Sequence, residues 1–357
     1  MEHLHIFSSD ENQKFSLSYF KFIKEHFKLD EHAFLVFKVK GDNLNLTPKD
    51  FKVIYNDFKG AIKMMREIRR AKCIYFHGLN LSTYSFLLLS LHSKYLKKCK
   101  WIIWGGDLYA YKLRTHNLKS NMREKFRERV IRNMGGIITQ LYGDYELAKE
   151  WYKTKGKYYY SFVYPSNLYK EYNLQQDGMN KSETIIQVGN SACETNNHIQ
   201  IFEKLEKYRK DNIKIICPLS YSGKEGYINQ VIEAGYEIFG IEKFVPITEF
   251  LSYENYLELL SKVDVAIFNH KRQRGLGNIT TLLGLGKKVY IREEITTWQF
   301  SVDHDLKVYS ANGDFQDLFE EMDEDIKRKN IQNMKTKFSK EKLVEDWKKI
   351  FNEGGCE

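Results

Sequence analysis

The chain has 357 residues, 42% hydrophobic and 29% charged, with only 4 prolines and a formal net charge of +9. That composition excludes a disordered, collagenous or low-complexity chain and leaves room for two domains of ordinary size. Cys73, Cys99, Cys193, Cys217 and Cys356 are scattered without a CxxC pair or a Cys–His cluster, which argues against a disulfide framework or structural zinc and fits a reducing compartment.

The charge is uneven. Residues 1–180 hold 31 Lys+Arg against 18 Asp+Glu, a net of +13, while the remainder is net −4. A basic half joined to a mildly acidic one predicts two domains with different partners. The opening MEHLHIFSSDENQ lacks the basic start and apolar run of a signal peptide. The longest apolar run, SFLLLSLHS, is too short to cross a bilayer, so a soluble or peripheral protein is expected.

In chain order, strand and helix signals alternate. HLHIFS (3–8), AFLVFKV (33–39), KVIYN (52–56), KCIYFHG (72–78), KWIIWGG (100–106) and GGIITQL (135–141) read as short buried strands. Between them the spacing predicts helices near 16–28, 58–70, 81–96, 117–133 and 143–154. The tract 165–183 is polar and nearly aperiodic, a linker signal. The alternation then restarts, with strands predicted at 184–189, 213–219, 236–240, 263–269 and 287–291, and helices at 196–210, 223–234, 253–261 and 277–285. A Lys-rich helix is predicted over 336–352. The expected class is α/β, with two doubly wound, Rossmann-like domains facing a cleft. Their expected limits are 1–166 for an acceptor-binding domain, 167–183 for a linker and 184–335 for a nucleotide-sugar domain. The segment 336–357, a helix and tail, is expected to cross back, as in the GT-B architecture.

Doubly wound sheets bind ligands beyond the carboxyl ends of their strands, so the loops there are the candidate sites. The first in the second half is QVGNSACETNNHI (187–199). Gly189 permits a tight turn, Asn190 and Ser191 offer polar groups, and Thr195 or Asn196 is placed to cap the next helix. An ordinary capped turn explains these residues equally. The loop NHKRQRGLGNITT (269–281) is more specific. Lys271, Arg272 and Arg274 precede Gly275 and Gly277, with Asn278 and Thr280 in the following helical turn. Forked guanidinium donors, close backbone approach and a helix start together suit a diphosphate. Neither a Walker A loop nor a GxGxxG fingerprint is present.

In the first half, YFHGLN (75–80) and IIWGGDLY (102–109) end strands in glycine turns at Gly78, Gly105 and Gly106. His77 and Asp107, with Asp10 after the first strand, are candidates for the base that takes a proton from an acceptor hydroxyl. Each also suits a plain turn or cap. Asp303 and Asp305 form a DxD without companions, and the carboxylates of EEMDEDIK suit a solvated helix face, so no metal cofactor is expected.

VGNSACETNNHI, RQRGLGN with GKKVYI, FHG, WGGDLY, SSD and FLSYENYLELLSKVDVAIF together resemble glycosyltransferase family 56. That family transfers N-acetylfucosamine from thymidine diphosphate (TDP) to lipid II of enterobacterial common antigen. The resemblance spans nearly the whole chain in order. Asn269-His270, where the family pattern is apolar, and the extra cation Arg274 depart from it. The resemblance implies a GT-B fold and transfer of a 4-acetamido-4,6-dideoxyhexose from a TDP-sugar to a saccharide on undecaprenyl diphosphate. The loops agree, putting the donor diphosphate against Ser191, Arg272, Gln273, Gly277 and the helix beginning at Asn278, with Gly189, Asn190, Asn197, Gly275 and Thr280 as further donor-binding residues. The base and ribose are expected at Phe250 and Leu251, and the sugar or phosphate beside Tyr221.

Segment 114–132 carries seven Lys+Arg and two Glu and, with 94–100 and 63–72, suits an anionic membrane surface. The expected place is the cytoplasmic face of a bacterial inner membrane, held peripherally. No nucleic-acid motif accompanies the charge, so nucleic acid is not expected as a partner. A non-catalytic sugar- or nucleotide-binding protein of the same shape, or a transferase with a different donor and acceptor, is the alternative.

Overall fold

A computed structural model describes residues 1–8, 15–38, 51–171 and 183–353, and the chain divides into two compact units. The first comprises Met1–Leu168 with Lys340–Glu357, the second Tyr169–Ser339.

The first unit holds a seven-stranded parallel sheet of β1 (His3–Phe7), β2 (His32–Lys38), β3 (Lys52–Tyr55), β4 (Cys73–His77), β5 (Cys99–Ile102), β6 (Gly136–Ile138) and β7 (Lys157–Tyr159). The helices are α1 (Ser16–His26), α2 (Phe58–Arg70), α3 (Thr83–Leu91), α4 (Gly106–Leu113), α5 (Leu118–Asn133) and α6 (Tyr142–Tyr152). β4 and β5 are buried along their whole length, as parallel strands covered on both faces must be. The strand order is β3-β2-β1-β4-β5-β6-β7.

The second unit holds β8 (Thr184–Val188), β9 (Ile213–Pro218), β10 (Phe244–Ile247), β11 (Val265–Phe268), β12 (Lys288–Ile291) and β13 (Tyr309–Ser310), in the order β10-β9-β8-β11-β12-β13. Its helices are α7 (His198–Leu205), α8 (Glu225–Phe239), α9 (Tyr253–Lys262), α10 (Leu276–Gly284), α11 (Thr296–Asp303) and α12 (Glu324–Lys337). Both sheets therefore reverse their strand order once, between β1 and β4 and between β8 and β11. Each unit has its own apolar core, built around Trp101 and Phe76 in the first and Phe202 and Ile215 in the second.

The final helix, α13 (Lys340–Asn352), belongs to the first unit. Trp347 is fully buried there; its indole donates to Val163 O at 3.1 Å and its ring meets Tyr19 at 5.1 Å. Phe351 packs against His3 and His32.

Some expected elements shift. The predicted strand 236–240 is the end of α8, whose buried Val231, Gly235 and Phe239 recur at helical spacing. The strand itself is β10, disguised by Pro246; among the described residues it pairs with β9 alone, and an edge strand tolerates the missing N–H. The tail is two helices, α12 and α13, interrupted at Phe338–Ser339. The glycine pair 105–106 reads as a turn, yet Gly106 opens α4.

Candidate functional site

The order reversal of the second sheet lies between β8 and β11, and the two glycine-bearing loops follow these strands. Gly189 continues β8 by donating to Ile267 O of β11 at 2.9 Å. Its φ is +68°, and a Cβ there would lie 2.5 Å from His198 Nε2, so only glycine fits without displacement. Asn196, 1% exposed, organises the loop from within. Its Oδ1 accepts from Asn190 N at 3.1 Å and lies 2.9 Å from His270 Nε2, while its Nδ2 donates to Ser191 Oγ and Cys193 O at 3.1 and 3.0 Å. The expected cap is thus corrected. A 3-10 turn, 194–196, turns Asn196 inward, Thr195 Oγ1 meets Cys193 Sγ, and α7 starts at His198 with Asn197 before it giving no side-chain cap. The Asn197 side chain bonds Gln200 instead.

After β11, Asn269 and His270 turn inward. Asn269 donates to Gln200 Oε1 at 2.8 Å. Burial, reinforced by Arg274, drives the His270 pKa down to about 3, and burial alone takes His198 to about 4. Both imidazoles are therefore neutral structural groups, and the cations of the loop are Lys271, Arg272 and Arg274. Arg272 Nη1 donates to Gln273 O at 3.0 Å, and Arg274 Nη2 donates to Ser222 Oγ at 2.6 Å. Gly275 has φ +68°, and a Cβ there would stand 2.9 Å from His270 Cε1 and 3.0 Å from Asn190 Oδ1. It precedes α10, whose start has no side-chain cap. Those first N–H groups carry the positive end of the helix dipole. Gly277 is exposed, and a Cβ there would meet nothing within 4 Å.

Asn190 and Tyr221 join these loops to the end of β9. Asn190 Nδ2 and Tyr221 Oη lie 2.8 Å apart, while the buried Asn190 Oδ1 has no hydrogen-bond partner among the described residues. Burial raises the Tyr221 pKa, which keeps the phenol protonated as a donor. Asn190 thus contacts Tyr221 directly and Ser191 through Asn196, a Cβ at Gly275 would meet Asn190, and Arg274 is tied to the β9 loop through Ser222. Phe250, 82% exposed, and the half-buried Leu251 stand on the separate β10–α9 loop. Asn278 Oδ1 accepts from the Tyr256 hydroxyl. Thr280 does not present its hydroxyl: it is buried and donates back to Leu276 O at 3.0 Å. Sequence reasoning missed the supports Asn196, His270 and Tyr256. The one legible signal was the polar pair Asn269-His270 directly after an apolar strand.

In the first unit, the reversal between β1 and β4 brings Ser8 beside His77 and Gly78; Ser8 Oγ donates to His77 O at 3.2 Å. His77 is fully buried, its Nε2 3.2 Å from His5 Nδ1 and its Nδ1 2.8 Å from Tyr164 Oη. Asp107 is 1% exposed and accepts four N–H bonds. Trp101 Nε1 and Leu79 N reach Oδ2 at 2.7 and 3.0 Å, and Trp104 N and Leu108 N reach Oδ1 at 2.9 and 3.0 Å. His77 and Asp107, two of the three candidate bases, are thus both buried in the first unit. His77 is enclosed by the His5, Tyr164 and Phe7 side chains, and Asp107 by the Trp101 indole and the N–H groups of the turns at Gly78 and Gly105. Asp10 lies outside the described residues.

Asp303 ends α11 and accepts from Gln299, and Asp305 is paired with Lys329 at 2.8 Å. Among the described residues no three His, Cys, Asp or Glu side chains are grouped to hold a metal ion, and no helix is long and apolar enough to cross a membrane.

Two such sheets, each with a polar or glycine turn at its reversal and a C-terminal helix returned to the first unit, define a GT-B glycosyltransferase. The same fold occurs in Anabaena HepE in complex with UDP (TM-score 0.71, 10% identity, covering 99% of this chain and 100% of that one). It recurs in sucrose-phosphate synthase from Thermosynechococcus elongatus (TM-score 0.70, 10% identity, 99% of each chain). A glycosyltransferase from Rickettsia africae shares it too (TM-score 0.67, 12% identity, 99% of this chain and 98% of that one). Over residues 2–354 the chain matches the family described as 4-alpha-L-fucosyltransferase glycosyl transferase group 56, and it belongs to that family. It is a glycosyltransferase.

Proposed function

We propose that this enzyme transfers a 4-acetamido-4,6-dideoxyhexose, N-acetylfucosamine, from TDP to a saccharide on undecaprenyl diphosphate. Its place would be the cytoplasmic face of a bacterial inner membrane. The observation that carries the donor assignment is the reversal point of the second sheet. There, two arginines, an uncapped helix start and the unpartnered Asn190 Oδ1 share one pair of loops. Guanidinium donors and free helix N–H groups suit a diphosphate. The UDP bound by HepE, a protein of the same fold, supports a nucleotide ligand.

In this reading Arg272, Arg274 and the start of α10 face the diphosphate, Asn190, Ser191 and Tyr221 face the phosphate and sugar, and Phe250 and Leu251 cover the base. The acceptor oxygen bonds the anomeric carbon, and the diphosphate leaves with the electron pair of the broken C–O bond. The acceptor proton passes to a carboxylate; with His77 and Asp107 engaged, we assign that role to Asp10. The diphosphate charge is balanced by guanidinium groups and a helix end, with no divalent ion invoked.

The test is a thermal-shift series with TDP, UDP, GDP and ADP. TDP should stabilise most, and Arg272→Ala should abolish the shift. Transfer from TDP-N-acetylfucosamine to a lipid-linked saccharide should persist in EDTA. Equal stabilisation by every nucleotide, or an unchanged shift in Arg272→Ala, rejects the donor assignment.

A further inference from the structure

We infer that the first unit docks on an anionic lipid bilayer through one rim, formed by the starts of α2, α3 and α5 and the end of α4. Leu118 and Met122 enter the lipid, and Lys112, Arg114 and Lys119 meet its phosphates. This surface rests on the lipid-linked acceptor proposed above, and it supplies what that proposal lacks, a face of contact.

The rim is one connected surface. In a parallel sheet the helices that follow strands begin at the strands' carboxyl edge, so α2 after β3 and α3 after β4 start on the same side. Asn56 ties these starts together: its Oδ1 accepts from Ser82 N at 2.8 Å and its Nδ2 donates to Asn80 O at 3.3 Å. Phe58 and Tyr84, in the first turns of α2 and α3, lie with ring centroids 5.6 Å apart. Arg123 ties in α5, donating to Leu81 O at 2.9 Å.

The rim exposes apolar groups without an internal reason. Leu118 is 91% exposed, Leu113 59%, Tyr84 52%, and Phe58 and Met122 50% each. One exposed leucine is unremarkable; five large apolar side chains on tied helix ends form a patch that marks an interaction site. Leu118 and Met122, four residues apart, share one side of α5.

The charge names the occupant. Residues 108–123 contain Lys112, Arg114, Lys119 and Arg123 and no carboxylate. A helix start favours Asp or Glu, yet the first turn of α5 has no acidic residue and carries Lys119. Apolar groups ringed by cations suit a surface of acyl chains beneath anionic headgroups. A symmetric contact between two copies would instead bring these cations against their own images.

The experiment is co-sedimentation of the full chain with vesicles of phosphatidylglycerol and phosphatidylethanolamine, and with phosphatidylcholine alone. Partition should favour the anionic vesicles and weaken with salt. Leu118→Asp with Met122→Asp, and separately Lys112→Gln with Lys119→Gln, should each lower it by about tenfold. Both variants should retain the nucleotide thermal shift and transfer to a short-chain, water-soluble acceptor. Undiminished partition of the Leu118/Met122 variant, or equal partition to neutral and anionic vesicles, overturns the docking surface. So does a concentration-dependent dimer of the parent, seen by sedimentation velocity and abolished in that variant, which would give the rim to a second copy. Vesicle binding through the rim without transfer to any lipid-linked saccharide would reject the acceptor and leave the rim standing.

Discussion

Asn196 Oδ1 lies 2.9 Å from His270 Nε2, joining the loop after β8 to the loop after β11 across the order reversal of the second sheet. Both residues are buried, and the same oxygen accepts from the Asn190 main chain. The positions of Asn190 and Gly275 therefore depend on one amide that need touch no ligand. Asn196→Ala would leave the Asn190 N–H and the Ser191 hydroxyl without this partner, at a cost of about 3 kcal/mol. A lower midpoint in denaturant, together with at least tenfold weaker TDP binding by calorimetry, is the expected result; unaltered affinity would separate the hub from the donor site.

The two glycines of the RGLG turn should behave oppositely. Gly275→Ala meets positive φ and a crowded Cβ and should lose about 1–2 kcal/mol of stability. Gly277→Ala adds a methyl to open space inside α10 and should hold or slightly raise stability. If the main chain there approaches a diphosphate, Gly277→Ala will bind TDP more weakly while its melting curve stays put.

Asp107→Asn and Asp10→Asn separate structure from chemistry. The amide would turn an NH2 toward donors that now point at a carboxylate oxygen, so Asp107→Asn should destabilise by about 2–3 kcal/mol. Asp10→Asn should keep its melting temperature and its TDP affinity while kcat falls by at least a hundredfold (on the order of general-base effects). An active Asp10→Asn enzyme would remove that residue from the base's role.

The protein should be acid-labile through its buried histidines. His5 and His77 are held well below the ordinary value by burial, and His32 is lowered to about 3, by burial first and then by His3. The unfolded chain binds these protons near pH 6.5 and the folded chain does not, so stability is complete above that pH. It falls as pH drops toward 3, by about 1.4 kcal/mol per pH unit for each histidine kept neutral. Chemical denaturation between pH 7.5 and 4.5 should show this slope, and His32→Asn should flatten it. A midpoint flat with pH would contradict the neutral cluster.

The C-terminal helix should be part of the first unit's stability. Trp347→Ala removes a fully buried indole and its bond to Val163 O, and should cost about 3–5 kcal/mol. Hydrogen exchange should rise in α1 and β1, whose Tyr19 and His5 face that indole, with the second unit unaffected.

The α/β class, two successive alternations of strand and helix, and the polar loops beyond the strand ends are legible in the amino-acid sequence. These are local properties: short apolar runs, helical spacing and glycine turns act over a few residues. It misread 236–240, because Pro246 hid an edge strand whose tolerance for proline depends on a neighbour it lacks. It left His77 and Asp107 as candidates for the base, since a titratable residue after a strand looks the same whether it faces solvent or is enclosed. That both are fully engaged, that Asn196 and His270 form one support, and that α13 packs on β1 follow from contacts made in the folded chain. Burial and hydrogen-bond partners come from residues far apart in the chain, as with His77 and Tyr164 or Val163 and Trp347, and no local pattern encodes such a meeting.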